Sequence, residues 1–117
     1  MKFFSGWAAA VLVTVAVGAM AQSTQAGDAA NGRKLFMTVG CFECHGTTGA
    51  GGGPAGPKLA PNPLPFAAVK VKLRNASGRM PVFSEAVLKD AEIADIYAYL
   101  QSIPAGKSAR DIELLSH

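Results

Sequence analysis

Cys41 and Cys44 are the only two cysteines in the chain, and His45 directly follows the second. In the run Cys41-Phe42-Glu43-Cys44-His45 the thiols stand three positions apart. On a turn of helix that spacing lets them add across the two vinyl groups of one porphyrin while the adjacent imidazole points at the metal in its centre. The pattern is C-x-x-C-H, the spacing of c-type haem attachment. A redox-active dithiol is the competing chemistry, but it belongs in a βαβ setting that this chain lacks. A structural zinc site needs two further ligands, and His45 and His117 are the only histidines. Nor do two cysteines this close make the disulfide framework of a small secreted domain.

An iron held from one side has a second axial position. Met37, Met80 and His117 are the candidates once a leader is removed. Met37 precedes Cys41 by four positions on an expected helix, so ordinary packing explains it. Met80 lies in a loop, flanked by Gly78, Arg79 and Pro81.

Three helices are expected to position these groups. The first runs from about Asp28 to Thr38, with Asp28 accepting hydrogen bonds at its start and Gly40 ending it. The second fits Pro65 to Arg74, since proline is tolerated in a first helical turn. The third is capped by Asp90, carries Glu92 in its first turn and stops before Pro104. In it Ile93, Ile96, Tyr97 and Leu100 recur at helical spacing and form one apolar face, extended by Tyr99 and Ile103. Between the cysteine motif and Pro57 the chain is rich in glycine and proline, and it reads as a loop wrapped around something. With no repeat and no convincing pair of alternating strands, the fold class is all-α with long loops.

The N-terminus has the layout of a secretory leader: Lys2, an apolar stretch to Val17, then small residues. Cleavage after Ala21 or Ala26 fits the small-x-small pattern, so residues 1–26 are read as a signal peptide and 27–117 as the folded domain. The alternative is an uncleaved anchor, because Phe3 to Ala21 is uncharged and approaches the roughly 20 residues that span a bilayer. The 91 residues from Gly27 onward are few for a stable core, and a large buried cofactor would help. They carry ten basic and eight acidic side chains, without the long basic run or interleaved aromatics of a nucleic-acid binder.

With these residues in view, the chain from about Gly27 to Ile103 resembles the class I c-type cytochromes, in particular the short bacterial monohaem members. Gly32 and Phe36 are similar to the small-residue and aromatic pair with which that family's first helix crosses its last, where Ile96 and Tyr99 look like the partners. Gly56-Pro57-Lys58-Leu59 resembles the family's Gly-Pro-x-Leu segment, and Met80-Pro81 its distal Met-Pro. The resemblance implies a cytochrome c fold, three main helices with long loops wrapped around one covalently attached haem c. It implies His45 and Met80 as axial iron ligands, and Pro57 as the carbonyl that accepts a hydrogen bond from the unligated imidazole nitrogen. Only 35 positions separate His45 from Met80, as in the compact members, which should leave more of one haem edge exposed.

The function so implied is single-electron transfer in the periplasm between redox proteins, or as the electron-transfer subunit of a dehydrogenase or oxidase complex. No small-molecule substrate is expected, because His/Met ligation fills both axial positions and no distal histidine is evident for peroxidase chemistry. Contact with a membrane would come only through a partner or an uncleaved leader. Lys70, Lys72, Arg74 and Arg79 precede Met80, whereas Glu85, Asp90, Glu92 and Asp95 follow it. The basic group is expected to steer an acidic redox partner. Ile112, Leu114 and Leu115 in the tail suggest packing on the domain or on another subunit.

Overall fold

The computed structural model describes residues 26–51 and 54–115. The expected signal peptide lies outside them apart from Ala26, as do Gly52, Gly53 and His117. The described residues contain no strand; they form α1 (Ala29–Thr38), α2 (Cys41–His45), α3 (Phe66–Arg74) and α4 (Asp90–Ser102). Two 3₁₀ turns follow, at Ala109–Asp111 and Glu113–Leu115. The all-α fold expected from the sequence is the one found, and α1, α3 and α4 are its three main helices. Among the described residues no helix is long and apolar enough to cross a membrane.

The first helix starts where Asp28 stands, because its carboxylate accepts from the backbone N–H of Ala30 at 2.8 Å and of Asn31 at 3.1 Å. Two donors that a helix start leaves orphaned are thereby satisfied. Gly40 has φ +87°, a left-handed conformation in which other residues are strained, and the chain turns there directly into α2.

The main packing contact is α1 against α4. A Cβ on Gly32 would collide with the Asp95 carbonyl and come within 2.9 Å of the Ile96 nitrogen, so the two backbones touch where the helices cross. Beside that point the rings of Phe36 and Tyr99 tilt against each other, centroids 5.6 Å apart, and both side chains are buried. Asp95 adds a polar tie, accepting from the Asp28 N–H and from Asn31 Nδ2, each at 2.7 Å. Ile93, Ile96 and Leu100 join Leu73, Leu88 and Ala60 in the core. Complete burial of one such large side chain contributes about 1.5–3 kcal/mol. Tyr97 sits at the margin instead, edge-on to Phe66 of α3 at 5.3 Å.

The start of α4 corrects the sequence reading. Lys89, not Asp90, holds the N-cap position, and its N–H donates to Glu92 Oε2 at 2.7 Å. Asp90 is the first helical residue and turns its carboxylate toward α3. There Oδ2 accepts from Lys70 Nζ at 2.6 Å and Oδ1 from Arg74 Nη2 at 2.7 Å. These hydrogen bonds, from Lys70 and then Arg74, hold the Asp90 carboxyl below the usual carboxylate range. In the tail Ile112 is half-buried, whereas Leu114 is 82% exposed and does not pack on the domain.

Gly32→Ala gains about 1 kcal/mol in helix propensity. It nonetheless drives a methyl into a backbone carbonyl that cannot rotate away. The variant should therefore be less stable by about 3 kcal/mol, read as a lower denaturant midpoint with an unchanged m-value.

Candidate functional site

Five residues make α2, and their helical spacing decides what they can do. Positions three and four apart share a face of a helix. Cys41 therefore shares its side with Cys44 and His45. The two cysteines form no disulfide; Cys44 is exposed, Cys41 half-buried. Burial against the apolar core pushes the Cys41 thiol pKa above its ordinary range.

His45 is buried, with 8% of its surface exposed. Its Nδ1 lies 2.8 Å from the Pro57 carbonyl oxygen. A carbonyl can only accept, so Nδ1 carries the proton and the Nε2 lone pair is free. Nε2 has no hydrogen-bond partner among the described residues. An oriented imidazole with an uncommitted nitrogen, on one helix face with two thiols, fits an iron porphyrin attached through those thiols. No group of three or more His, Cys, Asp or Glu among the described residues suits a metal held by protein alone.

The loop that follows earns its glycines from the need to return Pro57 to the imidazole. Gly51 N donates to the His45 carbonyl at 2.8 Å, and Gly49 N to the Gly46 carbonyl at 3.0 Å. The Gly49 carbonyl in turn accepts from Leu59 N at 2.8 Å and Ala60 N at 3.0 Å. Tyr99 donates from α4 to the Thr47 carbonyl at 2.8 Å and ties the loop to the helix crossing. Gly56 is buried where a Cβ would meet the Cys44 carbonyl at 2.6 Å and His45 Nδ1 at 3.0 Å. Only a glycine lets the Pro57 carbonyl come so close to the ring.

Met80 is half-buried and packs against the core cluster. It belongs to the connection between α3 and Phe83, whose N–H donates to the Leu73 carbonyl at 3.0 Å. Val39, Phe42, Leu59, Val69 and Phe83 are further half-buried apolar side chains against the same core. Met37 packs there too, as expected for a methionine on α1. Sequence reasoning missed the Arg74–Asp90–Lys70 ion pairs and the Tyr99–Thr47 bond. The first had a visible signal, since Lys70 and Arg74 are four apart on one helix and Asp90 begins the next. The second had none, because a carbonyl acceptor leaves no mark in residue types.

A family model described as "Cytochrome C oxidase, cbb3-type, subunit III" matches residues 27–100. That span runs from the start of α1 through the cysteine motif and Met80 into α4. No curated protein and no solved structure matches the chain.

With His45 as the iron ligand, breaking the Nδ1 bond would make the imidazole a weaker base and a poorer stabiliser of ferric iron. Gly56→Ala should therefore raise the midpoint potential of the haem-loaded protein. The rise should reach up to roughly 60 mV, the equivalent of one net hydrogen bond of about 1.5 kcal/mol, measured by redox titration.

Proposed function

Because the chain belongs to this family of c-type cytochrome domains, and so carries one covalently attached haem c for electron transfer rather than substrate turnover, we propose that it is an exported single-electron carrier with His45 and Met80 as axial iron ligands. The observation that carries this reading is the Nδ1-protonated His45, fixed by Pro57, with its Nε2 uncommitted beside two thiols. Cys41 and Cys44 would each add S–H across one vinyl group: the sulfur bonds to one carbon, the hydrogen goes to the other, and the π bond is consumed. No oxidant is required. The bound haem supplies a ferric/ferrous couple. His45 would hold the iron through Nε2, and the soft Met80 thioether as second ligand would favour the ferrous state and disfavour binding of other ligands. The leader in residues 1–26 supports export to the periplasm, where the thioethers would be made.

The family description supports a role in an oxidase or related redox complex. For docking, the basic residues divide into two pairs. Lys70 and Arg74 share the Asp90 carboxylate, whereas Lys72 and Arg79 are exposed and make no ion pair among the described residues. The exposed pair, beside exposed Val71 and Val82, is the part suited to an acidic redox partner.

The ferrous absorption spectrum should be unchanged by carbon monoxide in the native protein and altered by it in Met80→Ala. A native spectrum readily changed by the gas would mean an open iron and overturn the carrier reading. Lys72→Gln with Arg79→Gln should slow reduction by the natural donor several-fold at low salt and leave the spectrum unmoved. Because surface charges are screened beyond about 10 Å at 0.1 M salt, the difference should shrink as ionic strength rises.

A further inference from the structure

The connection that bears Met80 has almost no internal support. From Ala76 to Val82 no residue makes a hydrogen bond or ion pair among the described residues. Gly78 adopts φ +75° with nothing within 4 Å of where a Cβ would stand. Arg79, Pro81 and Val82 are exposed, and only Ala76 and Met80 are half-buried. Such a segment is held by its ends.

Its C-terminal end is closed on α3 twice. Phe83 N–H donates to the Leu73 carbonyl at 3.0 Å, and the Phe83 carbonyl accepts from Arg74 Nη1 at 2.7 Å. Residue 83 is thereby fixed through both backbone polar groups to consecutive residues at the end of α3. The Arg74 side chain is itself held, since its second guanidinium nitrogen donates to Asp90 Oδ1 at 2.7 Å. It is 21% exposed, so it is mostly out of solvent. A planar guanidinium can satisfy a carbonyl and a carboxylate at once in fixed directions, which an ammonium cannot do. Lys70 on the other Asp90 oxygen completes the arrangement at 2.6 Å.

We propose that Arg74, oriented by Asp90, is a positioning residue for the distal iron ligand: it clamps the base of the Ala76–Val82 connection and so sets how firmly Met80 stays on the iron. This rests on the reading of Met80 as that ligand. Arg74 does not touch the iron; it acts through the Phe83 carbonyl, three residues along the chain. A ferric iron holds a thioether weakly because the sulfur is soft. The ligand therefore exchanges between bound and released states, and whatever tethers its loop biases that exchange. An external ligand such as imidazole competes only for the released fraction, so its apparent affinity reports that fraction directly.

The test is an imidazole titration of the ferric haem-loaded protein, with the near-infrared charge-transfer band of methionine-ligated iron as a second readout. Arg74→Gln should raise the apparent imidazole affinity roughly tenfold, which corresponds to about 1.4 kcal/mol. Asp90→Asn should move it in the same direction by less. Asp95→Asn serves as the control: it turns one of the two oxygens that accept from Asp28 and Asn31 into a donor, which weakens the tie from α4 and lowers global stability without touching the Met80 connection. It should leave imidazole affinity at the native value. If the native band is present but Arg74→Gln binds imidazole as the native protein does, or Asp95→Asn gains as much, the clamp is overturned and the ligation stands. If the native protein lacks the band and Met80→Ala changes nothing, the ligation itself fails and the clamp falls with it.

Discussion

Gly32 has no side chain, and α1 therefore lies against the Asp95–Ile96 backbone of α4 closer than any other residue at that position would permit. Helices of ten and thirteen residues are too short to be stable in isolation. Their stability comes from this contact, from the Phe36–Tyr99 ring pair beside it and from the apolar core beneath. The placement of the site follows. The chain passes from α1 to α2 through Val39 and the left-handed Gly40 alone, so the orientation of α1 on α4 is also the orientation of the two thiols and the imidazole. Tyr99 extends the same support outward, packing on Phe36 with its ring and holding the Thr47 carbonyl with its hydroxyl.

Long loops are costly to order, because each fixed residue gives up about 1–2 kcal/mol of backbone entropy. Here the loop after α2 is ordered by its own backbone: the carbonyls of His45, Gly46 and Gly49 take the amides of Gly51, Gly49, Leu59 and Ala60. The result is that Pro57 meets His45 with the carbonyl oxygen already aimed. An imidazole oriented before metal binding loses less entropy on ligation than a freely rotating one, and its tautomer is settled by the acceptor rather than by the metal.

Helix positions were legible in the sequence because they depend on residue types that act locally. Asp28 caps α1, Pro65 precedes α3, and the apolar spacing in α4 marks its buried side; in each case a short stretch of chain contains the whole cause. Gly32, Phe36, Ile96 and Tyr99 were legible for a different reason, a resemblance that names pairs far apart in the chain. Asp90 was misread since an aspartate near a helix start is ordinarily a cap, and only the approach of α3 makes Lys70 and Arg74 better partners. Leu73 and Leu88 were absent from the expected core for a related reason: one sits at a helix end and the other in a turn after Phe83, where no periodicity points inward. Of the site, the thiols and the imidazole were evident from spacing alone, but the backbone bonds that fold the glycine loop back toward His45 were not, because every residue type supplies the same carbonyl.

The two sides proposed for the iron are supported by different physics. On the His45 side the holding groups are backbone carbonyls and amides in a dense loop, with Gly49 and Gly56 buried and no space for a side chain to move. On the Met80 side an otherwise unbonded stretch is gripped at residue 83 by one amide and one guanidinium. Arg74 and Asp90 are charged and in part open to solvent, so their grip is weakened by salt and by protonation of the carboxylate, to which a backbone bond is much less sensitive. An electron carrier has a use for such an inequality. On the proposed ligation, the firm side would keep the iron in register through every cycle, while a thioether held by a moderate clamp would follow the small change in preferred bonding between ferric and ferrous states without disturbing the helices. The basic residues of α3 thus divide, Arg74 and Lys70 facing Asp90, where the proposed clamp lies, and Lys72 facing outward.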